Sequence, residues 1–599
     1  MLVCRFEPAL HPRLPHALPQ DRRLALPGLT LEWDARVQVA ALGQQLAFVL
    51  GSPRFRDPAR RATAQQHGPA VAWLELCKAQ GEAAVSGLAG DFAVALLDLE
   101  QGRAMLAVDR FAVHSLAYRA EGGVLAFSDR ADRVPGADVA ELDPQALLDY
   151  LYFHVVPAPA TVFAGIRRLD GARRLRWAPD AVEVDQHWRP VFAPEAGRSF
   201  NDWRDEFLPL LRGAVSRAGE QGGSLGCFLS GGTDSSTVAG MLAQVRASSP
   251  HTYSIGFDAA GYDEMAYARL AARHFSTQQH EYYVTPEDLV AGIPTVAAHY
   301  DQPFGNSSVL PAYYCARLAR AGGVETLLAG DGGDELFGGN ARYAKQKVFE
   351  AYRLLPGALR SHVLEPALSA SLAGQLPLLN KAKSYVEQAL VPLPARMEQY
   401  NLLIRLGPAA VLSSGLLARA GLEAVARQQQ AVFDQAQGAM VNRMLAYDWK
   451  YTLSDNDLPK VSGATALAGV GVRFPLLDDD LVDFSLRLPA AYKVKGLRLR
   501  WFFKEALRGF LPEEIISKKK HGFGLPFGVW LAQHPGLQAL ARESLAGLAS
   551  RGLINAAFLH DLLETHLPRH PGYYGEMVWV LLMLEQWLRA HRPGYQLPR

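Results

Sequence analysis

The first third of the chain alternates apolar and polar residues in short runs. In LAGDFAVALLDLEQGRAMLAVD two such runs flank Glu100-Gln101-Gly102, and GGVLAFSD follows a pair of glycines. Period-two alternation bounded by turn residues is typical of β-hairpins. The Pro-, Gly- and charge-rich stretch Arg189–Trp203 then interrupts the pattern and indicates a boundary. We therefore predict a β-rich first domain over residues 1–195 and a second domain over residues 196–599.

In the second domain, short apolar runs alternate with helical periodicity. The runs that predict strands are Leu225–Leu229, Thr252–Phe257, His280–Val284 and Val324–Ala329. Between them, the apolar residues of TVAGMLAQV recur at helical spacing, Thr285-Pro286 is a helix start, and Gly322-Gly323 is a helix stop. Strands separated by helices predict a doubly wound α/β domain whose parallel sheet is covered on both faces. Beyond Arg342 the chain is predicted to be mostly helical.

Composition excludes several classes of protein. The chain has 599 residues, a formal net charge of +1 and four cysteines. Because the cysteines are far apart, neither a disulfide framework nor a zinc site is expected. The N-terminus lacks a secretory signal, and the longest apolar run near the C-terminus, Met577–Leu584, is shorter than the ~20 residues that cross a bilayer. We predict a cytoplasmic protein with no membrane or nucleic-acid partner, in which Met577–Leu584 is a buried helix.

The predicted strand Leu225–Leu229 leads directly into the loop SGGTDSS, after which a helix is predicted. Two glycines allow the backbone to approach a ligand closely, hydroxyls donate hydrogen bonds, and a helix N-terminus favours phosphate. The alternative is a tight turn whose Ser and Asp cap the helix. Asp234 weakens that alternative, because a carboxylate among phosphates requires a cation such as Mg²⁺. The loop is not a Walker loop, since GxxxxGK(S/T) is absent.

A second acidic, glycine-rich motif follows the predicted strand Val324–Ala329. Residues Gly330–Gly339 read GDGGDELFGG. Carboxylates packed this closely repel one another, and Mg²⁺ typically takes one or two carboxylates together with phosphates and water. Asp234 and Asp334 are therefore predicted to share a magnesium ion at the ends of two strands. The alternative for this motif alone is a solvated acidic turn.

Three ordered motifs resemble one enzyme family. SGGTDSS, GDGGDELFGG and LSDNDLPKVSGATALAGVGVRFPLLDDDLVDFSLRLP together resemble the synthetase domain of class B asparagine synthetases and of their relatives, the β-lactam synthetases and the lasso-peptide macrolactam cyclases. The resemblance implies that ATP adenylates a carboxylate, pyrophosphate leaves, and an amine attacks the acyl-adenylate. It also implies a first domain similar to Ntn-type glutamine amidotransferases and a second domain of the ATP-pyrophosphatase (PP-loop) type.

The resemblance implies roles for single residues. Asp331 would be the base of the attacking amine, and Glu335 would support the metal at Asp234 and Asp334. Lys520, in the loop KKKHGFG, would stabilise charge in the transition states, although a solvated basic loop is the alternative. The residues that would bind the nucleotide are Leu229, Ser230, Gly231, Gly232, Thr233, Asp234, Ser235, Ser236, Ile255 and Gly330.

Other charged residues have open interpretations. Asp457, Lys460 and Arg473 match family positions at which buried ion pairing and catalysis are both possible. Asp478-Asp479-Asp480 precedes a helical pattern and is interpreted as a helix cap rather than a metal cluster. The segment Asp301–Ser308 is expected to line the acceptor crevice.

The first domain lacks the residues that release ammonia from glutamine in the family's glutamine-dependent members. Those members use a cysteine directly after the initiator methionine, whereas this chain begins Met1-Leu2-Val3-Cys4, and the motifs HRGPD and NGEIYN are absent. Cys4 is therefore expected to be an internal strand residue. The segments that still resemble the family scaffold are Gly90–Asp98, Val108–Phe111, Leu125–Asp129 and Leu142–Leu151.

Without glutamine as the donor, the amine must come from elsewhere. An amine in the same molecule as the carboxylate gains from effective concentration. Because the lasso-peptide enzymes are similar in having a degenerate first domain, the resemblance implies as leading hypothesis a macrolactam (isopeptide) cyclase that joins an Asp or Glu side chain of a ribosomal precursor peptide to the peptide's N-terminus. By resemblance, such a cyclase works with a separate leader peptidase and a leader-peptide recognition protein. The alternatives are an ammonia-dependent asparagine synthetase, a cyclase of small molecules like the β-lactam synthetases, and a catalytically silent scaffold.

Overall fold

A computed structural model describes residues 1–15, 17–220, 223–246, 249–353, 356, 360, 362, 377–519 and 524–598. Up to residue 186 the strands pair antiparallel, as the alternating pattern predicts. They are β1 Leu2–Phe6, β2 Arg23–Leu26, β3 Leu29–Trp33, β4 Gln38–Leu42, β5 Gln45–Gly51, β6 Arg54–Phe55, β7 Leu88–Ala89, β8 Phe92–Asp98, β9 Arg103–Val108, β10 Ala117–Glu121, β11 Val124–Ser128, β12 Arg167–Arg168, β13 Arg173–Ala178 and β14 Ala181–Gln186. The predicted hairpin around Glu100-Gln101-Gly102 is confirmed as β8 and β9.

These strands form two larger sheets that pack face to face. One sheet has the order β12-β10-β11-β1-β3-β2 and the other β14-β13-β9-β8-β5-β4. Phe127 from the first sheet and Phe48 from the second meet in the shared core with their ring centroids 6.0 Å apart. Helices cover both outer faces, because Trp73 packs on the second sheet and Leu147 on the first. The first domain thus has four layers, in the order helices, sheet, sheet and helices, and it is β-rich as the sequence predicts.

The second domain contains a parallel sheet. Its strands, with a small hairpin, are β15 Leu225–Phe228, β16 His251–Phe257, β17 Gln278–Val284, β18 Thr326–Leu328, β19 Gly471–Arg473, β20 Val494–Lys495 and β21 Arg498–Leu499. The sheet order is β17-β16-β15-β18-β19, and every neighbouring pair is parallel. Leu327 and Leu328 point into two different cores, so both faces of the sheet are covered. The predicted doubly wound α/β architecture is confirmed.

Helices make up most of the rest of the described chain. The α-helices before residue 360 are Pro58–His67, Pro69–Gln80, Pro144–Phe153, Phe200–Gly219, Thr233–Val245, Met265–His274, Pro286–His299, Val309–Ala321, Gly333–Phe337 and Ala341–Arg353. Those that follow are Pro377–Leu390, Leu402–Leu406, Pro408–Val411, Ser414–Leu417, Leu422–Gln435, Met440–Asp448, Leu458–Leu467, Asp479–Arg487, Ala490–Lys493, Trp501–Ala506, Glu513–Ser517, Phe527–Leu531, Pro535–Ser550, Ala556–Asp561, Leu567–Arg569 and Pro571–His591. Two π-helices are Trp449–Asp457 and Leu562–His566, and 3₁₀ turns are Pro8–Leu10, Gly81–Gly87, Ala131–Arg133, Ala395–Glu398 and Pro475–Leu477.

Several local predictions are confirmed. Thr285 caps its helix in a reciprocal capping box with Asp288, and Gly322 ends the helix before β18. Met577–Leu584 lies buried within the helix Pro571–His591. Across the described residues, none of the helices combines the length and apolar character needed to span a membrane.

Two features differ from the predictions. The boundary stretch is irregular only as far as Ser199, where a capping box between Ser199 and Asp202 starts the helix Phe200–Gly219. That capping signal, S-x-x-D, is present in the sequence and outweighs the breaker residues before it. The edge strand β19 was not predicted, because three residues are too few for a period-two pattern to be recognised.

Candidate active site

A cleft opens at the carboxyl ends of β15 and β18, and its volume is about 1090 Å³. β15 comes first in the chain but lies at the centre of the sheet, with β16 and β17 on one side and β18 and β19 on the other. The order of the strands therefore reverses between β15 and β18, which is where open α/β sheets bind ligands. The SGGTDSS loop follows β15 and the GDGGDELFGG segment follows β18, so the two motifs face the same cleft.

The SGGTDSS loop is held in shape by its own hydroxyl groups. The Ser230 and Ser235 oxygens lie 3.0 Å apart, and the Ser235 hydroxyl accepts the backbone N–H of Ser230 at 3.2 Å. The Gly232 N–H donates to the Ser230 hydroxyl, and Gly232 begins the helix Thr233–Val245. The helix N-terminus thus lies at the cleft, where its N–H groups and its dipole favour an anion.

Two glycines explain why the backbone fits so closely around this loop. Gly231 has a φ of +71°, in the left-handed region, and a Cβ there would overlap the backbone at Tyr267 and Ala268. A Cβ at Gly330 would lie 2.8 Å from the backbone N of Ser235. Neither position can take a larger side chain without moving its neighbours. The two motifs are therefore packed backbone against backbone.

The carboxylates of Asp234 and Asp334 both contact the guanidinium group of Arg500. Arg500 Nη1 lies 2.5 Å from Asp234 Oδ2 and 3.0 Å from Asp334 Oδ1, and the Arg500 side chain is 7% exposed. Burial by itself would lower the pKa of Arg500, but the two carboxylates raise it above its ordinary value. Arg500 was not predicted as a site residue, since a left-handed residue after a short hairpin carries no motif of its own.

The same two carboxylates fit the predicted magnesium ion. Two carboxylate oxygens directed at one point, beside a phosphate-binding loop, are the ligand set that Mg²⁺ takes together with phosphates and water. A Cβ at Gly333 would overlap the Asp234 carboxylate, and one at Gly339 would overlap that of Asp334, so glycine at both positions leaves room for the pair. Among the described residues no group of three or more potential metal ligands is present, so phosphate would have to complete the shell.

Asp331 belongs to a charged group at the cleft with Lys460 and Asp457. Lys460 Nζ lies 2.8 Å from Asp457 Oδ1 and 3.6 Å from Asp331 Oδ1. Burial, together with the nearby Asp457 carboxylate, raises the pKa of Asp331 to about 6, although Lys460 opposes the shift. Burial lowers the pKa of Lys460, but Asp457 and Asp331 outweigh it and the net shift is upward. A carboxyl group that titrates near neutral pH is suited to proton transfer.

Apolar side chains form another part of the cleft wall, as a nucleoside pocket requires. Ile255 lines it together with Phe228, Tyr253 and Pro311. Of the predicted nucleotide-binding residues, those that border the cleft are Leu229, Ser230, Gly232, Thr233, Asp234, Ser235, Ile255 and Gly330. Gly231 packs behind the loop, and Ser236 is fully buried in the helix that follows.

Basic residues from the C-terminal part of the chain complete the cleft. Lys518 Nζ lies 2.9 Å from a Glu264 oxygen and 4.3 Å from the centroid of the Tyr267 ring. Burial, with a smaller contribution from Arg500, lowers the pKa of Lys504. Lys519 also borders the cleft, whereas the predicted catalytic Lys520 lies outside the described residues. Its role stays a prediction.

Some predicted residues lie elsewhere. Arg473 is not in the cleft, because it donates to the Ala218 carbonyl at the contact between the two domains. Asp478 caps the helix Asp479–Arg487 as predicted, and it also accepts Arg217 at 2.7 Å. The prediction for Asp301–Ser308 is wrong for most of its length. Only Asn306 and Ser308 of that segment border the cleft.

None of the four cysteines is a candidate nucleophile. Cys4, Cys77, Cys227 and Cys315 are all buried and free, and burial raises the pKa of each thiol. Cys4 lies within β1 with no exposed surface, as expected of an internal strand residue. A thiol becomes a nucleophile as its thiolate, and burial disfavours the thiolate at all four positions.

Comparison with known proteins matches both domains. Residues 206–589 match the family profile described as asparagine synthase, and residues 59–188 match that of the glutamine amidotransferase domain. The chain is 24% identical over 517 residues to asparagine synthetase (glutamine-hydrolyzing) 1 of Bacillus subtilis, covering 84% of this chain and 78% of the relative. It is 25% identical over 525 residues to a putative asparagine synthetase (glutamine-hydrolyzing) of Mycobacterium tuberculosis, covering 85% and 77%. A glutamine phosphoribosylpyrophosphate amidotransferase structure from B. subtilis aligns with 48% of this chain and 62% of its own at 10% identity, but its TM-score of 0.17 is too low to carry an argument.

Proposed function

The chain belongs to the asparagine synthase family, and from this premise we propose that it is a peptide macrolactam cyclase. Members of the family are ATP-dependent carbon–nitrogen ligases that form AMP and pyrophosphate. In the proposed reaction, the carboxylate is an Asp or Glu side chain of a ribosomal precursor peptide. The amine is the N-terminus of the same peptide, and the product is an isopeptide-bonded ring.

The observation that carries this proposal is the combination of both glycine-rich acidic motifs at one cleft with cysteines that are all buried. Asp234, Asp331 and Asp334 all border the cleft, whereas every cysteine is buried with a raised thiol pKa. A ligase without a glutamine-cleaving nucleophile needs another amine. An amine tethered to the activated carboxylate is favoured, because effective molarities for well-oriented partners reach ~10⁵–10⁸ M.

The size of the cleft also supports a peptide substrate. Its volume of about 1090 Å³ lies above the ~300–1,000 Å³ of ordinary small-molecule pockets. Asn306 and Ser308 border it, and so does Leu497, which is 62% exposed in the turn between β20 and β21. A folded peptide with both reacting ends in the cleft needs such space beside the nucleotide.

Each residue then has a defined task. The Ser230 and Ser235 hydroxyls and the helix N-terminus would bind pyrophosphate, and Gly330 would leave room for adenosine. Asp331, with its raised pKa, would accept the proton that the attacking amine loses. Asp234 and Asp334 would hold Mg²⁺, which neutralises phosphate charge when it is bound. A leader peptidase and a leader-peptide recognition protein are the proposed partners.

Asparagine synthesis from ammonia is the second candidate. The observation that favours it is the similarity to relatives whose names are asparagine synthetase, over more than four-fifths of this chain. In that case aspartate is the acceptor and free ammonia the amine. Cyclisation of a small molecule would use the same chemistry.

Pyrophosphate exchange separates these candidates. The purified chain is incubated with ATP, Mg²⁺ and labelled pyrophosphate, together with precursor peptides, with aspartate, or with neither. We expect label to enter ATP only with a peptide, and we expect the peptide to lose the mass of one water. Asparagine formed from aspartate and ammonium, with no exchange on any peptide, would refute the cyclase. Asp234→Asn should abolish exchange, whereas Asp561→Asn, at an exposed helix end, is the matched control.

A further inference from the structure

The first domain contacts the cleft through a π-helix. The segment Trp449–Asp457 is a π-helix between two α-helices, a geometry that is rare and frequently marks functional sites. Its first residue packs on the first domain, since the Trp449 ring lies 5.6 Å from that of Phe111. The Trp449 indole also donates to the carbonyl of Glu335, next to Asp334, at 2.9 Å. Its last residue, Asp457, borders the cleft.

A buried lysine ties the middle of this π-helix to the first domain. Lys450 Nζ lies 2.6 Å from Asp455 within the π-helix and 3.1 Å from Asp170 of the first domain. It also donates to the Ala158 carbonyl at 2.8 Å, while Asp455 accepts the Ala158 N–H at 3.2 Å. The Lys450 side chain is only 9% exposed. Removing one partner of an ion pair buried this deeply is strongly destabilising, because the remaining charge stays buried.

The first domain holds the facing loop in the same way. Asp301 accepts the N–H of Ala131 at 2.8 Å, and the Gly305 N–H donates to the His154 carbonyl at 2.7 Å. The loop and the π-helix then meet, because Asn306 Nδ2 donates to Asn456 Oδ1 at 2.6 Å. Both elements are thus anchored on the first domain and joined beside the cleft.

We infer that the first domain positions the acceptor wall of the cleft, defined as Asn306, Ser308, Asp457 and Lys460, and that Lys450 is the positioning residue of this coupling. The assignment of this wall to the acceptor rests on the proposed function, because Lys460 is the partner of Asp331. The first domain would then take part in the ligase reaction by positioning this wall. Lys450 pairs with Asp455 and does not line the cleft, so it would act through the π-helix that ends at Asp457.

The test compares two interdomain ion pairs. Asp170→Asn weakens the pair that leads to the acceptor wall. Asp483→Asn breaks the pair with Arg110, at 2.7 Å, on another part of the domain contact. Hydrogen–deuterium exchange is measured on the full chain. We expect residues 301–308 and 455–460 to exchange about fivefold faster in Asp170→Asn, and to be unchanged in Asp483→Asn. Lys450→Met should give the same pattern more strongly if it folds.

Kinetics give a second measurement. With a peptide that supports exchange, Asp170→Asn should lower the rate of amide formation by about tenfold or more while the KM for ATP stays the same. The inference would be overturned if residues 301–308 and 455–460 exchanged equally fast in the wild type and Asp170→Asn. It would also be overturned if Asp483→Asn accelerated their exchange as much as Asp170→Asn does. Because hydrogen exchange needs no substrate, it decides this inference even when no peptide supports the proposed cyclase reaction.

Discussion

Replacing Arg500 by methionine removes the cation that the carboxylates of Asp234 and Asp334 share in this fold. The guanidinium is 7% exposed and lies within 3.0 Å of both carboxylates. Removing one partner of a buried ion pair typically costs about 3–5 kcal/mol, because the remaining charge stays buried. We therefore expect Arg500→Met to lower the free energy of unfolding by about 3–5 kcal/mol when Mg²⁺ is absent.

Magnesium should reverse much of this loss. In the variant, Mg²⁺ takes the vacated position between the carboxylates, and at a concentration 100 times its Kd it would contribute about 2.7 kcal/mol. In the wild type the ion must compete with Arg500, so it should stabilise less. The assay is urea unfolding followed by tryptophan fluorescence, with and without Mg²⁺. Arg498→Met is the control, because Arg498 is 65% exposed and its surface pair is worth only about 0–1 kcal/mol.

Two results would refute this reasoning. One is a decrease in the free energy of unfolding that is no larger in Arg500→Met than in Arg498→Met, because the contacts of Arg500 with Asp234 and Asp334 would then contribute as little as a surface ion pair. The other is an equal stabilisation of wild type and Arg500→Met by Mg²⁺, because the ion would then bind away from Asp234 and Asp334.

Three further predictions concern the cleft and the first domain. Asp331→Asn should slow amide formation by about 10²–10⁴-fold and leave pyrophosphate exchange unchanged. In the wild type, the rate of amide formation should fall as the pH drops through about 6, because Asp331, whose pKa is raised to about 6, then loses its proton-accepting carboxylate form. A rate that stays constant from pH 5 to 8 would contradict this. Gly330→Ala should raise the KM for ATP in the exchange assay, because its Cβ would lie 2.8 Å from the Ser235 N, whereas Gly421→Ala, with open space around it, should not. Cys4→Ala should leave the ligase rate unchanged at a stability cost of about 1 kcal/mol, and a loss of glutamine-dependent activity in this variant would show that the buried thiol is used.

The sequence predicts the local features of the site that depend on neighbouring residues. The SGGTDSS loop was placed at a strand-to-helix turn because its glycines, hydroxyls and following helical pattern are all neighbours in the chain. The same holds for the cap at Thr285 and for the hairpin of β8 and β9. Hydrogen bonds and steric limits over a few residues decide such features, so sequence spacing is sufficient to predict them.

Other members of the site are separated by long stretches of chain. Arg500 reaches Asp234 across 266 residues, and its own neighbours in sequence show nothing unusual. The buried ion pair of Lys450 is equally hard to predict, since a lysine on a helical pattern normally indicates a solvated side chain. The contact of Lys450 with Asp170 arises only because the first domain docks on the π-helix. The expected lining of the cleft by all of Asp301–Ser308 failed for the same reason, because the first domain covers Asp301.

By itself, then, the sequence determined the two kinds of domain, the parallel sheet, and the pair of glycine-rich motifs at its strand ends. Those follow from periodicity and turn chemistry, which act between near neighbours. The tertiary structure alone decided which cation faces Asp234 and Asp334 and which carboxyl group acquires a raised pKa. It also decided how the first domain contacts the cleft. Coulomb energies and desolvation depend on distance and burial in space, and residues far apart in the chain acquire both only when the elements pack.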